Sequence, residues 1–299
     1  MMKLTTEQRN ERSERLDRLS TVEIITLMNE EDQKVPLAVK EALPQIEPAI
    51  EAIVERLAAG GRLFYIGAGT SGRLGILDAA ECPPTFGTKK EQVTAIIAGG
   101  SQAIFEAVED AEDNAEAGRD EVRKQVSSSD VLFGIAASGK TPYVLGAVAE
   151  AKRLGIRTVG LACNQHTLLG ASVDYPIEVN VGPEIVTGST RLKAATAQKL
   201  VLNMISTATM IRLGKVYKNL MVNVQATNDK LRKRVIDIIQ EAAQVDEETA
   251  RRSCDLANGD ARAAILMLEF QTDYAAVMEA MEAAGGHFGR ARGQLLLHQ

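Results

Sequence analysis

Between residues 62 and 213 the chain alternates short apolar runs with segments whose apolar positions recur every three or four residues. The runs are Leu63 to Ile66, Val93 to Ala98, Val131 to Ala136, Thr158 to Ala162 and Ile177 to Val181. They have the length of strands, and their apolar character suits strands covered on both faces. Strands separated by helical patterns predict one parallel five-stranded sheet sandwiched by helices, an α/β architecture. Residues 15 to 59 read as preceding helices, the last stopped by Gly60 and Gly61, and a longer helix is predicted from Arg191 to Leu213. Past residue 230 the strand signal ends. Short helical patterns broken at Asn258-Gly259 and near Thr272-Asp273, and closed by Gly285-Gly286, predict a small three-helix unit. Asp260 and Asp273 stand where N-caps belong, and Ile265, Leu266 and Leu268 form the apolar stripe of the middle helix. The expected division is an α/β domain over 1–230, amino-terminal helices included, and an all-helical carboxyl-terminal domain over 231–299.

Composition narrows the class of function. The 299 residues are 45% hydrophobic and 25% charged, ordinary globular values that allow a large core. A net charge of -6 without a basic tract argues against nucleic acid or an anionic membrane as the main partner, because phosphate backbones are bound by clustered Lys and Arg. No stretch is apolar and long enough to span a bilayer, and the polar amino terminus offers no secretion signal. Cys82, Cys163 and Cys254 are far apart and fit neither a disulfide framework nor zinc-ligand spacing, which points to a reducing, cytoplasmic setting. The three histidines, His166, His287 and His298, show no ligand spacing, so no metal site is expected.

Two glycine-rich segments invite cofactor readings that their surroundings oppose. Gly67-Ala68-Gly69-Thr70-Ser71-Gly72 matches the dinucleotide fingerprint and joins a strand to a helix, but the next strand ends in Ala98-Gly99-Gly100 where the acid for the ribose is required. Gly134 to Thr141 satisfies the P-loop expression, yet Gly134 falls inside an apolar run, which leaves too short a loop for a triphosphate. Pro142 fits the first helical position, with Thr141 as its cap. Both segments are strand, Gly/Ser/Thr turn and helix start, an arrangement that offers backbone N–H groups and hydroxyls to one phosphate monoester at the positive end of a helix. A single such loop often only caps its helix. Two loops beside each other in one sheet make that reading less attractive.

The first loop continues as Arg73-Leu74-Gly75-Ile76-Leu77-Asp78-Ala79-Ala80-Glu81-Cys82-Pro83-Pro84-Thr85. Further strings are Gly182-Pro183-Glu184, Thr187 to Lys193, Thr196-Ala197-Gln198-Lys199, Gly214 to Tyr217 and Asn219 to Val222. Together they resemble the N-acetylmuramic acid 6-phosphate etherases of the sugar-isomerase fold over almost the whole chain. Ala195, where a glycine is usual, and Asn164-Gln165-His166, where Asn-Pro is usual, depart from the family. The resemblance implies a lyase without metal or redox cofactor that removes D-lactate from a phosphosugar, and a homodimer. It implies Glu81 and Glu112 as catalytic carboxylates. Thr70, Ser71, Gly72, Ser138, Gly139 and Thr141 would hold the 6-phosphate, with Glu184 and Ser189 reaching the sugar.

The residues themselves say less about the two acids. Glu81 precedes Cys82-Pro83-Pro84, a helix-terminating sequence, so it is expected where a helix gives way to a loop. Glu112 is expected on a helix with the stripe Ile104, Val108, Ala111 and Ala115, where it is the acid nearest that stripe. Most carboxylates on such a helix are solvated. Arg73 suits a surface contact as well as a phosphate, Cys82 lacks a histidine nearby in sequence to activate it, and His166 reads as a loop residue. The helical carboxyl terminus is similar in topology to ubiquitin-associated units, which implies packing or dimer support. Two rival functions keep the fold: a non-catalytic phosphosugar-binding regulator, which needs no carboxylate pair, and an aldose-ketose isomerase.

Overall fold

The computed structural model describes residues 4–224 and 229–297, so His298 lies outside it. The chain forms two compact units, Met1–Ala80 with Lys90–Ser206, and Glu81–Lys89 with Thr207–Gln299. This division differs from one at residue 230, because the second unit takes the end of a long helix and a short internal stretch.

The first unit opens with three helices, α1 (Thr21–Asp32), α2 (Lys34–Glu41) and α3 (Leu43–Ala58). Ser20 and Glu23 start α1 with a reciprocal capping box. Five parallel strands follow: β1 (Leu63–Gly67), β2 (Val93–Ile97), β3 (Val131–Ile135), β4 (Arg157–Ala162) and β5 (Tyr175–Glu178), in the order β2-β1-β3-β4-β5. Four parallel pairings join the strands, each of which overlaps an apolar run, but β5 begins earlier than its run. It is an edge strand, where Pro176 is tolerated because its missing N–H can face away from the ladder. The connecting helices are α4 (Gly69–Phe86), α5 (Ala115–Gln125), α6 (Pro142–Arg153) and α7 (Leu168–Ser172), and α8 (Lys193–Arg212) follows the sheet.

Phe64, Ile66 and Leu132 point to one face, where they pack with Val122 of α5 and with Val144, Ala147 and Val148 of α6. On the other face Tyr65 and Phe133 meet edge to face at 5.4 Å. Gly75 lets α4 approach, since a Cβ there would stand 3.0 Å from the Tyr65 Cβ. A buried ion pair, Glu31 with Lys193 at 2.7 Å, ties α1 to the start of α8. Burial opposes the ionisation of Glu31, but hydrogen bonds from Lys193 and Lys34 outweigh it and hold the carboxyl down at about 2.

The second unit has five helices after residue 228: α9 (Asp229–Ala243), α10 (Glu247–Leu256), α11 (Ala261–Phe270), α12 (Tyr274–Ala283) and α13 (Phe288–Leu297). The sequence pattern resolves only three of them. The break it misses is at Gln244, which adopts left-handed backbone (φ 56°) without a glycine signal, and the helix it misses is α13, which follows Gly285-Gly286. Asp260 and Asp273 do cap α11 and α12, accepting from Ala263 N and Ala276 N. Val235, Ile239, Ile265, Leu266, Val277 and Phe288 form the core of this unit.

Candidate active site

In the strand order, β1 and β3 are neighbours whose following connections run to opposite edges of the sheet. Such a switch point opens a crevice at the carboxyl ends of the strands, the usual ligand site of open α/β sheets. The β1–α4 and β3–α6 turns form this crevice, with Gly67 in register with Ile135. A cavity of about 450 Å³ lies there. Thr70 and Ser71 line it from the first turn, and Ser138, Lys140 and Thr141 from the second.

Local backbone explains the glycines. Gly72 does not line the cavity; a Cβ there would meet Ile97 Cγ1 at 2.6 Å and Gly67 O at 2.9 Å, so its role is close approach of α4 to the strands. Gly139 has φ +68°, and its Cβ would fall 2.4 Å from Thr167 Cβ. Thr167 cannot step aside easily, because its hydroxyl donates to Glu178 at 2.7 Å and accepts from Gly170 N at 2.9 Å. Pro142 begins α6 with Thr141 before it, but the Thr141 hydroxyl makes no capping bond and faces the cavity. Ser71 is buried and donates to Gln198 Oε1 at 3.0 Å. The Gln198 amide nitrogen is buried without a partner among the described residues.

Glu112 and Asp113 line the cavity. They do not sit on the expected α-helix. Gly99 and Gly100 adopt positive φ, two 3-10 turns (Gly100–Ile104 and Glu109–Asp113) replace it, and α5 starts at Ala115 with Asn114 as its cap. Glu112 therefore reaches the cavity from a turn, and the helical stripe used to rank it does not exist there. Arg73 holds this segment, donating from Nε to Ile104 O and from Nη2 to Glu106 O, both at 3.0 Å, and does not line the cavity.

Gly139, like Gly72, does not line the cavity, and neither do three more of the expected residues. Glu81 is exposed and lies inside α4, which continues through Pro83 and Pro84 to Phe86, so the prolines do not end the helix before it. Gly87, with φ +61°, ends it, donating to Pro83 O. Glu184 is fully buried, and its two oxygens accept from Lys193 N (3.0 Å) and Ala194 N (2.9 Å) at the start of α8. It caps a helix with both oxygens and does not line the cavity. Burial raises its carboxyl above the usual range despite those bonds. Ser189 does not line the cavity, whereas its neighbours Gly188 and Thr190 do.

Four lining residues escaped the sequence reading as sugar or phosphate contacts: Glu7, Asp113, Lys140 and Thr190. Lys140 was visible within the P-loop-like string, but rejecting the triphosphate removed its apparent purpose. Glu7 carries no periodic or motif signal at all. The thiols take no part: Cys82 and Cys163 are buried, and burial pushes the Cys163 thiol up to about 12. No helix among the described residues is long and apolar enough to cross a membrane.

Fold and crevice together define a protein of the sugar-isomerase fold. Residues 103–208 match the SIS domain, and residues 45–152 match the glucokinase regulatory protein N-terminal SIS domain. Phosphoheptose isomerase from Francisella tularensis superposes with a TM-score of 0.50 at 19% identity, covering 64% of this chain and 100% of its own. The N-acetylmuramic acid 6-phosphate etherase 1 of Bacillus licheniformis is 50% identical over 96% of this chain and 95% of its own length. The etherase of a Geobacillus species is 52% identical over 97% and 98%. The chain belongs to the N-acetylmuramic acid 6-phosphate etherase family.

Proposed function

We propose that the chain is a carbon-oxygen lyase that converts N-acetylmuramic acid 6-phosphate to N-acetylglucosamine 6-phosphate and D-lactate. The observation that carries this reading is one cavity walled by both helix-start turns and by Glu112. The hydroxyls of Thr70, Ser71, Ser138 and Thr141, with the N–H groups at the starts of α4 and α6, suit a phosphate monoester. Lys140 is the lysine that lines the cavity beside them. Gly139 and Gly72 serve the same site through backbone shape.

The chemistry needs proton transfer more than it needs a strong nucleophile. Opening of the sugar ring leaves an aldehyde at carbon 1 and acidifies the hydrogen on carbon 2. A carboxylate removes that hydrogen, the lactyl oxygen leaves carbon 3 as it takes up a proton, and water then adds to the unsaturated aldehyde. Glu112 is assigned to this proton traffic because it shares the phosphate cavity. Glu81 is assigned as the second carboxylate on the resemblance of the Glu81-Cys82-Pro83-Pro84 string to the etherases. The same reading places the enzyme in the cytoplasm as a homodimer acting on a small phosphosugar, consistent with three free cysteines. Extended likeness to the etherases over 96% of the chain favours the lyase over a regulator, whose domain match spans 45–152 only.

The test is lactate release in deuterium oxide. The wild type should release lactate and place deuterium at carbon 2. Glu112→Gln and Glu81→Gln should each lower the rate by about 10²- to 10⁴-fold while inorganic phosphate still binds. Lactate release without deuterium at carbon 2, or an unchanged rate in either variant, contradicts the corresponding step.

A further inference from the structure

The amino-terminal segment before α1 is held against the sheet by a set of side-chain bonds. Thr5 Oγ1 donates to Asn164 Oδ1 (2.8 Å) and to Asn180 Oδ1 (3.0 Å), and Thr6 N donates to Asn164 Oδ1 (3.2 Å). Asn164 Nδ2 donates back to Thr6 Oγ1 and also to Ala137 O, both at 3.0 Å. Further along, Asn10 Nδ2 donates to Pro183 O (3.3 Å) and Ser13 Oγ to Ile185 O (2.7 Å). Thr6 and Asn164 are buried, so these bonds are protected from water. One side chain, Asn164, therefore registers the segment against the turn that carries Ser138 and Thr141.

The residue that follows this attachment is Glu7, whose side chain lines the cavity with Ser71, Ser138 and Glu112. Its carboxylate has no hydrogen bond or ion pair within the described residues. A carboxylate is an acceptor only. The phosphate and the lactyl carboxylate of the proposed substrate are acceptors too, and would be repelled. The donors on that substrate are its hydroxyls and its amide N–H.

We infer that Glu7 is a substrate-binding residue whose carboxylate accepts a hydrogen bond from a hydroxyl or amide N–H of the phosphosugar. This role rests on the proposed lyase reading and deepens it. Glu7 then gives the amino-terminal segment a part in reading the sugar, and it favours a ligand with a sugar donor over a bare phosphate.

Steady-state kinetics of Glu7→Ala and Glu7→Gln test it, with inhibition by inorganic phosphate and thermal midpoints measured alongside. Glu7→Ala should raise KM for N-acetylmuramic acid 6-phosphate by about 10- to 100-fold, as for a hydrogen bond to a charged group. Glu7→Gln, which keeps one carbonyl acceptor, should fall between alanine and wild type. Phosphate inhibition should stay within about twofold of wild type, since no donor is lost from the phosphate turns. A KM that is unchanged or lower in both variants overturns the inference, as does phosphate affinity that weakens by the same factor as substrate affinity. The isosteric Gln variant decides the matter if the Ala variant does not fold. Failure of the wild type to release lactate would instead defeat the lyase reading itself.

Discussion

Gly139 and Gly155 offer a matched pair for separating backbone strain from crowding. Both have left-handed backbone, φ +68° and +70°, but a Cβ on Gly155 meets nothing within 4 Å whereas one on Gly139 would sit 2.4 Å from Thr167 Cβ and 2.6 Å from its Cγ2. Alanine in left-handed backbone costs about 1–2 kcal/mol, partly offset by the less flexible unfolded chain, so Gly155→Ala should lose about 1 kcal/mol. Gly139→Ala carries that term plus overpacking of about 1–3 kcal/mol, because Thr167 is fixed by Glu178 and by Gly170 N. The total is about 2–4 kcal/mol. At about 2–4 °C per kcal/mol for a unit of this size, calorimetry should show a midpoint drop of several degrees beyond that of Gly155→Ala. The same shift displaces Ser138 and Thr141, so Gly139→Ala should also weaken phosphate binding while Gly155→Ala should not. Equal losses of stability in the two variants would refute the crowding argument.

Asp78 is predicted to make stability depend on pH. Burial raises its carboxyl from 3.8 to about 6, against hydrogen bonds donated by Tyr65 and Ser206 and the charge of Lys199. The folded state thus prefers the protonated acid. Its contribution is complete below 3.8 and is lost as pH rises through about 6, by up to about 3 kcal/mol. Denaturant unfolding at intervals from pH 4 to 7 should show this slope in the wild type and its loss in Asp78→Asn; a slope that survives the substitution contradicts it. Glu184→Gln should destabilise by about 1–2 kcal/mol through the lost cap and leave KM unchanged. A raised KM at unaltered stability would return Glu184 to the sugar.

The sheet is legible because its central strands β1, β3 and β4 are buried on both faces and so read as unbroken apolar runs. The phosphate turns were legible for a related reason: a strand, a glycine turn and a helix start are contiguous in sequence. What failed was local structure decided by distant contacts. The stretch Gly100 to Asn114 carries a helical spacing of apolar residues, but Arg73 bonds its carbonyls and paired positive-φ glycines break it into turns. Pro83 and Pro84 predict a helix stop, yet α4 absorbs them and ends at Gly87. Glu184 is a sugar contact only by the family resemblance, and nothing local in the sequence shows the two backbone N–H groups, nine and ten residues on, that its oxygens satisfy. Glu7 was illegible because its position depends on Thr5, Thr6 and Asn164, 158 residues apart in the case of Thr6.

The central claim is that the β1–α4 and β3–α6 turns hold the 6-phosphate with the sugar beside Glu112. The most direct measurement is a crystal structure of the Glu112→Gln protein soaked with N-acetylmuramic acid 6-phosphate. The account predicts the phosphoryl oxygens within hydrogen-bonding distance of Ser71, Ser138 and Thr141, and carbon 2 facing residue 112. A phosphoryl group bound away from both turns, or carbon 2 remote from that side chain, would contradict it.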